Sequence, residues 1–84
     1  MINRLFRQMR LGRKITQASL AQDLGCTANY LYLIETRRKF PSLDFCLKFA
    51  RAFGFNPLWM QTQWLHDYVS VLQVRAEAKF TRPA

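Results

Sequence analysis

Apolar residues recur along this chain at helical spacing, and cap residues and glycines punctuate the recurrences. Ile2, Leu5, Phe6 and Met9 fall at i, i+3, i+4 and i+7, with Arg4, Arg7 and Gln8 on the other face, which predicts a helix from Ile2 to about Leu11. Gly12 is expected to stop it. Thr16 reads as the N-cap of a second helix that buries Leu20, Ala21 and Leu24 and ends at Gly25. Thr27 caps a third, with Leu31 and Ile34 inward. Ser42 caps a fourth, where Asp44 complements the helix dipole and Leu43, Cys46, Leu47, Ala50 and Phe53 form the core stripe as far as Gly54. Asn56 and Pro57 supply the N-cap and first position of a fifth helix that runs to about Lys79. The pattern contains no strand signal, no internal repeat and no low-complexity linker. The expected class is all-α, a compact five-helix bundle forming one domain over residues 1–84, frayed at Thr81 to Ala84.

The fifth helix carries more apolar surface than one core uses. Leu58, Leu65 and Leu72 recur every seven residues, and Thr62, Val69 and Ala76 follow four after each. Leucine at one seam position and β-branched residues at two of the three others favour a dimeric coiled-coil contact. Met60, Trp64, Tyr68 and Val71 make a second stripe beside it, so that together they span roughly 200° of the helical wheel, about twice what one core requires. One stripe can close the bundle, leaving the other for a partner. Phe45 joins the surplus because the core stripe of helix four omits it. The expected dimer interface is therefore Phe45, Leu58, Leu65, Val69 and Leu72, on a dimerisation helix of about residues 57–80. The competing arrangement bends the helix and folds both stripes into one larger core. A membrane-surface helix fits less well, because the polar face (Gln63, His66, Ser70, Gln73, Glu77) is not rich in lysine or arginine.

Charge narrows the partner. Thirteen Lys plus Arg against five Asp plus Glu leave a formal net charge of +8, which points to a polyanion, nucleic acid before an anionic membrane. Half the residues are hydrophobic, too many for a disordered basic tail. No apolar run reaches the roughly eighteen residues a membrane span needs, and MINRLFRQMR has no signal-peptide core, so the expected location is cytoplasmic. Cys26 and Cys46 are twenty positions apart, without a CxxC, and His66 is the single histidine. That is too few ligands for a zinc site, so the cysteines read as reduced and core-facing, and neither metal nor cofactor is expected. No nucleophile–base arrangement and no phosphate-cradling glycine loop is visible, so the expected chain is not an enzyme.

Residues 16–36 hold two short helices meeting at Leu24-Gly25-Cys26, the layout of a helix-turn-helix. Arg10, Thr16-Gln17, Leu20-Ala21, Gly25, Ile34-Glu35, Pro41-Ser42 and Ala50 lie at matching spacing over roughly residues 2–55. In these positions the chain resembles the XRE-type helix-turn-helix family, the DNA-binding domains of lambdoid phage repressors and Cro proteins. The resemblance implies a compact bundle of about five helices that binds double-stranded operator DNA as a homodimer. It departs from the family at Arg37, where members usually have glycine; arginine is penalised there if the backbone needs a positive φ.

The resemblance also implies that the N-terminal end of helix three meets base edges. Thr27, Ala28, Asn29, Tyr30, Tyr32 and Leu33 are then the candidate readers. Asn29 is able to contact adenine N6 and N7 bidentately, while Ala28 and Leu33 offer apolar contact to a thymine methyl group. Tyr30 and Tyr32 offer hydroxyls to bases or phosphates, the alternative being that either packs on the neighbouring loop. In similar proteins the residue at Gln17 braces a phosphate or the recognition helix. Arg13 and Lys14, before helix two, and Arg37, Arg38 and Lys39, after helix three, are candidate phosphate contacts. Arg10 and Glu35 are expected to form a structural, partly buried ion pair joining helix one to the end of helix three. These features suit a small repressor or controller on a palindromic operator. The alternative is an antitoxin whose apolar fifth helix grips a toxin; a bridging module that binds no specific sequence is a third use of the same fold.

Overall fold

The computed structural model describes the backbone of residues 2–80 and side chains as far as Arg75. It contains α1 (Ile2–Gly12), α2 (Gln17–Leu24), α3 (Ala28–Glu35), α4 (Leu43–Phe53) and α5 (Pro57–Phe80), with no strand among the described residues. The fold is all-α, as the periodicity predicts. The side chains of Ala76 and Glu77 and the segment Thr81 to Ala84 lie outside the described residues.

Local chemistry fixes the helix starts. Thr16 Oγ1 accepts from Ser19 N (3.1 Å), Thr27 Oγ1 from Tyr30 N (3.0 Å), Ser42 Oγ from Phe45 N (3.1 Å) and Asn56 Oδ1 from Leu58 N (2.8 Å). Each satisfies an amide that the first turn would otherwise orphan. Gly25 (φ 70°) and Gly54 (φ 74°) end α2 and α4 in the left-handed region. The end of α1 differs from expectation. The helix runs through Gly12, and Lys14 (φ 56°) makes the left-handed reversal instead. The Arg10 guanidinium holds this turn by donating from Nη1 to Ile15 O (2.8 Å).

The first turn of α1 has no acid of its own. Asp67, from α5, supplies one: its Oδ2 accepts from Ile2 N at 2.6 Å, placing a carboxylate at the positive end of α1.

An aromatic stack fills the core. Phe6 meets Phe45 edge-on (5.1 Å between centroids) and Phe49 likewise (4.7 Å), and Phe49 stacks on Phe53 at 4.2 Å. Leu20, Leu24, Leu31, Ile34, Cys46, Ala50 and Met60 close round it. This corrects the reading of α4. Phe45 is 4 % exposed and belongs to the monomer core, not to a free interface, and Phe49 is fully buried, while Leu43 and Leu47 are only half-buried. The physical reason is that α4 is surrounded. It packs against α2 and α5 and receives Phe6 from α1, so it buries a face wider than a single stripe.

On α5, Met60 is buried, and Trp64, Tyr68 and Val71 are half-buried against the bundle. The heptad positions project from the adjoining outer face, roughly 110° round the helix: Leu58, Leu65, Val69 and Leu72 are 73, 53, 52 and 43 % exposed. The helix keeps its two stripes apart.

Candidate nucleic-acid interface

The outer surface of α3 is built by what α3 buries. Leu31, Ile34 and Glu35 face inward, which turns Asn29 to the middle of the outward face, with Ala28 and Tyr32 exposed beside it and Leu33 half-buried. Thr27 is exposed and serves as the cap. Tyr30 takes the packing alternative. Its ring meets Phe45 edge-on at 5.6 Å and its hydroxyl oxygen accepts from Ser42 N (3.1 Å), so it holds the start of α4 and does not extend outward as Asn29 does.

The far end of α3 is pinned by charge. Arg10 grips Glu35 with two parallel hydrogen bonds, Nε to Oε2 at 2.7 Å and Nη2 to Oε1 at 2.9 Å, and both residues are buried. The bond to Glu35 raises the Arg10 pKa further above its already high value, keeping the guanidinium charged. Gln17 Nε2 donates to the same Glu35 Oε1 (3.2 Å), so of the two roles the resemblance offers, its side chain here braces the recognition helix.

The basic segment then folds back under the end of α3. Arg37 N donates to Ile34 O, and Arg38 N and Lys39 N both donate to Leu33 O. Arg37 adopts φ 61°, so the left-handed position that glycine usually fills in the family is retained here by an arginine. Asn3, buried in α1, donates from Nδ2 to Ile34 O (2.9 Å) and Lys39 O (3.1 Å). From α5, Trp64 Nε1 donates to Pro41 O (2.9 Å), and Phe40 lies against Trp64 and Tyr68. The loop is therefore held from both sides. The Arg38 guanidinium lies 6.0 Å from the Tyr32 ring centroid and the Lys39 ammonium 5.1 Å from that of Tyr30. No acid pairs with Arg37, Arg38 or Lys39 among the described residues.

The other basic pair divides. Lys14 is exposed in the α1–α2 turn. Arg13 is engaged elsewhere: its guanidinium sits 3.9 Å over the Phe53 ring and donates from Nη1 to Ala52 O (3.2 Å), capping the C-terminal end of α4. This differs from the grouping of Arg13 with the phosphate contacts, because the guanidinium lies over Phe53 and donates from Nη1 to the Ala52 carbonyl. Asn3, which the sequence reading did not single out, and Trp64, read there only as part of an apolar stripe, hold the basic loop in place.

The helix-turn-helix domain family model matches residues 4–58. The chain belongs to this family. Membership agrees with the XRE-type resemblance and marks the chain as a DNA-binding one of the regulator kind. Comparisons with curated proteins and with solved structures returned no match. No described helix is long and apolar enough to cross a membrane.

Proposed function

We propose that this protein is a sequence-specific transcriptional regulator, a small repressor or controller, that binds a palindromic operator as a homodimer. The observation that carries the reading is the outward face of α3: Asn29 at its centre, Ala28 and Tyr32 beside it, and an unpaired cationic loop over its far end. Asn29 reads an adenine edge, Ala28 and Leu33 make apolar contact, and Arg37, Arg38, Lys39 and Lys14 bind phosphates that set the register. A lone α3 spans roughly 12 Å and reads too few base pairs for useful specificity, so a twofold partner doubles the site. The seam of Leu58, Leu65, Val69 and Leu72 is the surface left to supply that partner. Half-sites are then about ten base pairs apart, one turn of DNA.

Selection from a random duplex pool followed by footprinting tests this directly, a palindrome being the expected product. On the selected site Asn29→Ala should weaken binding by about 1–3 kcal/mol and leave random DNA almost unaffected, whereas Arg38→Ala should weaken both alike. Equal loss on both duplexes for Asn29→Ala would remove it as a base reader. The exposed seam also favours a second reading, an antitoxin that covers this face with a toxin. A protein that is monomeric by light scattering at micromolar concentration would point there.

A further inference from the structure

The stripe of α5 that faces the bundle continues past the core. Trp64, Tyr68 and Val71 lie against Phe40 and the loop, and Arg75, seven residues beyond Tyr68, follows on the same side of the helix. Arg75 and Val71 from α5 line a cleft of about 190 Å³ together with Arg37, Arg38 and Lys39 of the loop and Phe40 at its base. Four cationic residues from two elements thus line one cleft, and no acid lines it. Placing four like charges round one small opening is unfavourable unless an anion is present to separate them. The loop backbone is fixed by Asn3, Trp64 and Phe40, which anchors Arg37, Arg38 and Lys39 beside Arg75, while the heads of Arg38 and Lys39 rest near the Tyr32 and Tyr30 rings.

We propose that α5 is itself part of the DNA-binding surface: Arg75 and the Arg37–Lys39 loop hold a single backbone phosphate between them. The inference rests on the DNA-binding reading given above and adds a residue, Arg75, that lies beyond the family match ending at residue 58. A phosphodiester suits the cleft because it offers two unesterified oxygens, one for an arginine from each wall. The seam lies on the adjoining face, with Leu65 and Leu72 roughly 60–80° round the helix from Arg75, so a partner on the seam flanks the cleft without having to cover it.

Fluorescence anisotropy on a random-sequence 30-base-pair duplex, titrated across a range of salt concentrations, reads this without knowledge of the operator. Arg75→Gln should reduce the slope of log K against log[salt] by about 0.9 and lower affinity about fivefold at 0.1 M salt, with the mass of the assembly unchanged. Arg38→Ala should act similarly, and the double variant should lose less than the product of the two single losses, because both arginines serve one phosphate. An unchanged slope for Arg75→Gln while Arg38→Ala still weakens binding would overturn the role of α5 and leave the DNA reading intact. Multiplicative losses would overturn the shared phosphate. A parent protein with a slope shallower than about −2 would overturn the DNA reading itself.

Discussion

Between Ile2 and Gly54 the only large apolar side chains left in the open are Leu11 and Tyr32, whereas α5 alone exposes Leu58, Trp59, Leu65, Val69, Leu72 and Val74. The first four helices resemble a finished core in which buried charge is used sparingly and paired, as Arg10 is with Glu35. The fifth uses one side to finish that core and holds the other side out. The difference separates two kinds of apolar residue that hydropathy alone cannot: those that fold the subunit and those that remain for an encounter. It also divides the expected consequences of mutation, since changes in the first region should unfold the chain and changes on the outer side of α5 should not.

The largest effect is expected from Glu35→Ala. It strands the Arg10 guanidinium in the core and removes the acceptor for Gln17, and it should cost about 3–5 kcal/mol in urea denaturation. A loss under 1 kcal/mol would show that the pair is more hydrated than its burial implies. Leu65→Asp should act on assembly instead, raising the dimer dissociation constant by about a hundredfold, roughly 3 kcal/mol, with circular dichroism unchanged. A variant that light scattering finds still dimeric would move the interface off the seam.

Arg37→Gly sharpens the comparison from the other direction. Relieving the left-handed arginine should stabilise the fold by about 1–2 kcal/mol, while removing a cation should flatten the salt dependence of DNA binding by about 0.9. Stability and binding should therefore move in opposite senses in one variant. Burial, with a smaller effect from Asp67, pushes the Cys46 thiol up to about 12 from an ordinary 9.0. The unfolded chain then releases this proton first, so the stability it confers is present below pH 9 and is lost as pH rises towards 12. The parent should lose about 1 kcal/mol more than Cys46→Ala between pH 8 and pH 10, by denaturant midpoint at each pH. Parallel curves would place the thiol in contact with water.

What the sequence disclosed divides along the same physical line. Thr16, Thr27, Ser42 and Asn56 were legible as caps because a cap is a contact between residues two or three apart. The core positions of α2 and α3 were legible because each of these helices shows the bundle a single face. Phe45 and Phe49 were not, since α4 is buried by three neighbours and a one-face periodicity omits whatever the second and third neighbour cover. In the candidate site, the outward placement of Asn29 followed from helical geometry and its reading role from the family resemblance, while the redirection of Tyr30 and Arg13 depends on Ser42 and Ala52, partners from other elements. Asn3 and Asp67 read as ordinary polar residues until the backbone groups they bind are brought to them from more than thirty positions away.

The hydrogen bond from Ile2 to Asp67 has a consequence for how the protein is made. It closes a loop of 65 residues, and Met60 and Trp64, which complete the core and the basic loop, also follow the rest of the bundle in the order of synthesis. α1 through α4 are synthesised before these anchors, at a rate of about 5–20 residues each second. α3 is thus translated several seconds or less before the segment that fastens its loop, and the domain is complete only once α5 has been made.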